Sequence, residues 1–264
     1  MEGGPLLEEW WVEVASKEFV PYLNISSQLP TTPDQNLLQR MGGRGYPYFV
    51  VLDDNGSRIV PGRSFSQFRP MNRAGTMVAV AGAQELIAAR ANAAAAPRNP
   101  ALAANRVLLE RLLLDGKVST QEAAAASEVE GIDPTLAQRF RAQEVLAEYA
   151  KTVGRLDRND VGGRQAAFDR AGRAMLAAHK QGTPLNDTRL RVFGDYWRLV
   201  FTGALLDGEL VTADKALAIY RRVFGTAANM RERISKMTRD LDAAKKERGE
   251  SNTTPADSEE STGS

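Results

Sequence analysis

Residues 41–56, MGGRGYPYFVVLDDNG, join a helix end, an aromatic-proline step, an apolar run and a tight turn. Leu37, Leu38 and Met41 offer one apolar helical face, and Gly42-Gly43 stops that helix, because glycine enters left-handed backbone conformations without a side-chain clash. Residues 48–52 are rich in β-formers and predict a strand, Asp53-Asp54-Asn55-Gly56 predicts a turn, and residues 57–60 predict the returning strand of a hairpin. Pro47 has no N–H to give to a ladder, so it belongs at the first residue of its strand. The Tyr46-Pro47 bond is of the only kind with an accessible cis isomer, and the sequence does not fix which isomer is present.

Upstream, Leu7, Trp10, Trp11 and Val14 share a face at helical spacing, and residues 19–25 have the composition of a strand. Taken together, helix, strand, helix, Gly-rich turn, aromatic-proline, apolar strand, Asx-Gly turn and second strand resemble the C-terminal part of a thioredoxin-like domain over about residues 6–90. The resemblance implies an α/β fold class, a partial thioredoxin-like α/β/α domain. It also implies that Tyr46, Pro47 and Tyr48 lie beside that family's substrate groove, where the Tyr46 backbone would pair with an extended peptide.

Two departures weigh against the family's chemistry. Thioredoxin-like domains carry a C-x-x-C or related motif at the start of their first helix, and this chain contains no cysteine. They also begin with a central strand, and Met1-Glu2-Gly3-Gly4-Pro5 is too short and too glycine-rich to supply one. A sheet lacking its middle strand leaves buried N–H and C=O groups, at about 1–3 kcal/mol for each unpaired group. The gap is filled by direct pairing of the flanking strands, by a partner's strand, or by a natural protein that starts upstream of Met1; the last is the most economical.

The composition is that of an ordinary globular chain: 264 residues, 43% hydrophobic and 25% charged, enough for one or two cores. With 34 basic against 33 acidic residues, no net field favours nucleic acid or an anionic membrane. No apolar run approaches the about 20 residues of a membrane helix, and the N-terminus has no signal-like core. A cytoplasmic chain is expected, with an export signal only on an upstream extension.

Residues 74–96, dominated by Ala, predict a helix on the sheet, and Pro97-Arg98-Asn99-Pro100 then breaks the pattern. Residues 1–97 thus form the incomplete thioredoxin-like domain and residues 98–248 an all-α domain of antiparallel helices. Its helices are expected at 102–114, 120–129, 134–156, 164–180, 188–206 and 213–246, the last broken near Gly225. Residues 249–264 have almost nothing apolar and are expected to be a disordered tail.

Several residues invite a sharper reading. Leu113-Leu114-Asp115-Gly116-Lys117-Val118 echoes Leu205-Leu206-Asp207-Gly208-Glu209-Leu210, and each copy ends a helix with Gly before an N-cap at Thr120 or Thr212. Asp115, Gly116, Val118, Ser119 and Glu122 match the second half of a calcium loop. Arg111 and Leu113, however, stand where its first oxygen ligands belong. Asp157-Arg158-Asn159-Asp160 lacks further ligands at Val161 and Phe168 and reads as a capping loop. His179, the single histidine, sits near a helix end before Gly182 with no evident partner and is assigned to the helix dipole. Gly42-Gly43-Arg44-Gly45 follows a helix instead of opening one, so turn geometry explains it better than anion binding. Trp10 and Trp11 could form an exposed aromatic platform, but adjacent aromatics on a helix more often place at least one in the core, and that reading is preferred. No metal cluster, nucleophile motif or phosphate loop is present, and no cofactor is implied.

Val223, Ala227, Met230, Ile234, Met237, Leu241 and Ala244 make a short heptad-like seam within residues 223–244, suited to packing on the helical domain or, less readily, to a homo-oligomer. Two function classes follow. One is a cysteine-free, thioredoxin-like scaffold that binds a protein or extended peptide through Tyr46, Pro47 and Tyr48, with a helical module attached. The other is a truncated thiol-disulfide oxidoreductase whose C-x-x-C lies upstream of Met1.

Overall fold

The structure, a computed structural model, describes residues 8–18, 20–21, 36–43, 50–53, 55–60, 73–114, 118–190 and 192–251. About three quarters of the described residues are helical. The described elements are α1 (Glu9–Glu18), α2 (Leu37–Arg40), β1 (Val51–Leu52), β2 (Arg58–Val60), α3 (Arg73–Ala95), α4 (Pro100–Leu113) and α5 (Thr120–Ala126). They continue with α6 (Pro134–Val153), α7 (Val161–Gln181), α8 (Phe193–Leu206), α9 (Leu210–Phe224), a 3-10 turn (Ala228–Met230) and α10 (Arg231–Ser251).

The thioredoxin-like α/β reading is overturned. Among the described residues the only β-structure is the two-stranded antiparallel pair β1–β2, with Val51 opposite Val60, Leu52 opposite Arg58 and an irregular register between them. The turn is the one the residues predict. The Asp53 carboxylate accepts from the N–H of Asn55 at 3.1 Å and of Ser57 at 2.7 Å, and Gly56 takes φ +72°. Gly42, at φ 77°, likewise ends α2 as expected. The same local signals serve a small hairpin laid on a long helix as well as a full sheet. Fully buried Ile59 shares a core with Ala79, Ala83 and Leu86 of α3, so this helix supplies the cover that further strands would have given. The expected strand at 19–25 lies almost wholly outside the described residues, as do the tail beyond 251 and the Tyr46-Pro47-Tyr48 loop. Among the described residues there is no central sheet to complete, and the disulfide-exchange alternative is not carried forward.

Two compact units divide the chain, residues 1–140 and 141–264, with the boundary inside α6. In the first unit α3 and α4 meet through the Pro97–Pro100 turn. Asn99 caps α4 by accepting from the N–H of Ala101 and Leu102, and Pro100 occupies the first turn, where its missing N–H costs nothing. Leu108, Leu109, Leu114, Val118, Leu136 and Phe140 complete this core, with Ala104, Ala123, Ala126 and Ala137 between them. A part-buried ion network tethers the hairpin to it: Arg90 reaches Glu110 at 3.1 Å and Asp53 at 3.7 Å, and Arg106 reaches Glu110 at 3.2 Å. Of the adjacent tryptophans, neither is fully buried; both are half-exposed, with an edge-to-face contact of 5.8 Å.

The second unit has a different core. Phe193, Tyr196, Trp197, Phe201 and Tyr220 are buried beside Met175, Leu176, Leu199, Val200 and Leu217. Helices α7 and α8 cross at Gly172 and Gly203, where a Cβ on Gly203 would overlap the Gly172 carbonyl. Gly208, at φ 71°, turns α8 into α9. The seam of α10 is used internally, because Met237 and Leu241 are buried in this core and Ile234 packs against it. Arg221 with Thr238 at 2.7 Å and Lys245 with Asp214 at 2.8 Å fasten α10 to α9.

Candidate functional site

The two arrangements in this protein with the most chemistry both lie in the second unit and radiate from α8. Its sequence, FGDYWRLVFTGALL, buries eight residues and carries one cation, Arg198. An amphipathic helix that turns apolar over most of its surface leaves such a cation little water. The Arg198 guanidinium lies 4.3 Å from the centre of the Phe168 ring of α7, and Tyr149 of α6 meets that ring edge-on at 5.9 Å. A cation over an aromatic face is held by the ring quadrupole, the more so as water is removed.

Arg233 stands in the first turn of α10. One of its Nη atoms donates to the Tyr220 hydroxyl at 3.1 Å, and that hydroxyl in turn contacts the Met230 sulfur at 3.7 Å. Burial lowers the Arg198 pKa, and the positive charge of Arg233 lowers it further; Asp195, Tyr149 and Tyr220 oppose the shift. Neither guanidinium forms an ion pair with a carboxylate among the described residues. Arg198 remains cationic at neutral pH, so the site is a half-buried positive charge walled by aromatic rings.

His179 belongs to the second arrangement and corrects its expected lack of a partner. Its Nδ1 is 2.7 Å from the Tyr196 hydroxyl, and its ring meets Trp197 edge-on at 5.4 Å. Trp197 Nε1–H donates to the buried Leu185 carbonyl at 3.0 Å, which pins the loop after α7. Burial lowers the His179 pKa, and Glu209 partly offsets this, so the imidazole is neutral at pH 7. His179 joins α7 to α8 through one hydrogen bond and edge-on ring contacts with Tyr196 and Trp197.

The remaining expectations resolve simply. Tyr46, Pro47 and Tyr48 lie outside the described residues, as do Asp115 and Gly116 of the half calcium loop. The described part of that loop is a helix cap, with Ser119, not Thr120, accepting from the Glu122 N–H at 3.1 Å. In the second copy of the echo Glu209 stands at the N-cap, and Thr212 falls inside the first turn of α9. Asp157 and Asp160 do form a capping loop, accepting from the N–H of Asn159 and Gly163, each at 2.8 Å. Among the described residues no group of His, Asp and Glu is placed to hold a metal ion, and no helix is long and apolar enough to cross a membrane.

Arg198 and Arg233 are absent from the sequence expectations, and Phe168 enters them only as a position that cannot ligate a cation. The signal that could have found them is a lone arginine on an otherwise apolar helix, next to Trp197. No family model matches this chain, and neither a curated protein nor a solved structure is similar to it.

Proposed function

We propose that this chain is a binding protein, built of helices, that holds a protein or peptide partner through the Arg198 site. The observation that carries the reading is the half-buried Arg198 guanidinium, 4.3 Å from the centre of the Phe168 ring, with no ion-paired carboxylate among the described residues. Leaving a cation partly desolvated is costly, and aromatic rings around an arginine are the usual furniture of a recognition site. Among the described residues, side chains suited to catalysis are few by comparison: a histidine engaged with a tyrosine, and carboxylates engaged as caps or ion partners.

A peptide-display selection against the full chain, with counter-selection on Arg198→Met, tests this reading. Sequences enriched on the native protein and lost on the variant are the expected result. Enrichment that is equal on both, or no enrichment at all, would overturn it.

A further inference from the structure

We infer that a cleft in the first unit, independent of the Arg198 site, takes the ammonium group of a lysine side chain on a peptide partner. The cleft, about 220 Å³, opens between α3, α4 and the start of α6. Its origin is the alanine surface of α3, because exposed Ala88 and half-exposed Ala89 are too short to fill the space beside α4. Leu102 and the buried Leu109 and Leu136 supply the rest of its apolar lining. An apolar hollow with a few polar groups around it is the common form of a binding site for a small group.

The polar groups decide the class of ligand. Glu85, Asn92, Asn105 and Asp133 line the cleft, two carboxylates and two carboxamides, and no cation lines it. Glu85 is balanced by Arg139 at 2.8 Å. Asp133 has no such counter-ion: its Oδ1 accepts from the N–H of Thr135 at 2.8 Å and of Leu136 at 3.3 Å, starting α6, and its Oδ2 accepts from no described residue. The cleft therefore keeps one unbalanced negative charge beside an apolar wall. A lysine suits both parts, because its methylene stem lies along apolar surface while a compact ammonium with three donors meets the carboxylate. Asn105 Oδ1 accepts the Asp133 N–H at 3.0 Å, which ties α4 to the start of α6 and leaves Nδ2 as a donor for a backbone carbonyl of the same partner. That second contact favours a lysine within a peptide over a bare amine.

The test is a titration of the full chain with Nα-acetyl-lysine amide, followed through the side-chain amide signals of Asn92 and Asn105 by nuclear magnetic resonance. The comparison probes are Nα-acetyl-norleucine amide, which has the stem without the charge, and n-butylammonium, which has the charge without the peptide groups. The lysine probe is expected to move both signals and to bind at least about tenfold more tightly than either of the others. Asp133→Asn should abolish its advantage over norleucine while the circular dichroism melt holds, since asparagine caps a helix as well as aspartate does. Ala88→Leu, at an exposed position, should fill the cleft and weaken the lysine probe by about tenfold. Still signals at Asn92 and Asn105, or equal binding of the norleucine probe, would overturn the inference. Equal binding of n-butylammonium would overturn the assignment to a lysine within a peptide.

Discussion

Gly82 in α3 and Gly203 in α8 both sit inside long helices, yet their surroundings differ in kind. A Cβ at Gly82 would meet only the Leu113 methyl at 3.3 Å, the movable end of a side chain. At Gly203 it would strike the Gly172 backbone and the Leu176 Cβ at 2.9 Å. The first unit is built from alanine surfaces with slack between them, and the second from backbones in contact around packed aromatic rings. A helix pair closed on glycine has no rotamer through which to relax, whereas a leucine methyl can shift.

The largest effect is expected at that crossing. Gly203→Ala should destabilise the second unit by about 3 kcal/mol, read as a lowered urea midpoint followed by Trp197 fluorescence. A loss below about 1 kcal/mol would mean that α7 and α8 separate easily and that the contrast between the units is false.

Next comes Trp197→Phe, which keeps a ring but strips the donor from the buried Leu185 carbonyl. A buried acceptor left without its donor costs about 2 kcal/mol, measurable in the same melt by circular dichroism. Gly82→Ala has the opposite sign. Replacing a helical glycine is worth up to about 1 kcal/mol, less a few tenths for moving Leu113, so a rise in thermal midpoint of a few degrees is expected. A fall would show that α3 and α4 are as tightly closed as α7 and α8.

The smallest effect sharpens the comparison through pH. Burial lowers the His179 pKa in the folded chain below its ordinary value of 6.5, so the unfolded chain binds the proton more readily. Stability from this group is full above pH 6.5 and falls as pH drops through that value towards the folded pKa. His179→Gln should flatten the thermal midpoint between pH 7 and about pH 5 relative to the native chain. An unchanged slope would place the acid sensitivity elsewhere.

Much of the helical framework was legible in the sequence. The 3.6-residue periodicity, the break at Pro97-Arg98-Asn99-Pro100 and the Gly208 turn place α4 and α6–α9 close to their expected ranges, because capping and burial act within a few residues. The Asp53–Gly56 hairpin was legible for the same reason. What misled was the step from local to global. A glycine stop, an apolar run and an Asx turn are satisfied by two short strands docked on α3, and nothing within residues 41–56 records how many neighbours those strands have. The Arg198 site was hidden for the converse reason, since Phe168, Arg198 and Arg233 lie on three helices, and only folding brings them together. The seam at 223–244 showed its apolar face correctly but could not name what covers it; Leu241 and Met237 turn it inward.

Native-state hydrogen exchange, resolved by peptide, tests the contrast most directly. The account predicts that amides of 171–178 and 199–206, flanking the Gly172–Gly203 contact, exchange more slowly than those of 79–90 and 102–112 by at least about tenfold, a difference of about 1.4 kcal/mol in opening free energy. Equal protection of the two sets, or slower exchange in the alanine-lined helices, would contradict it.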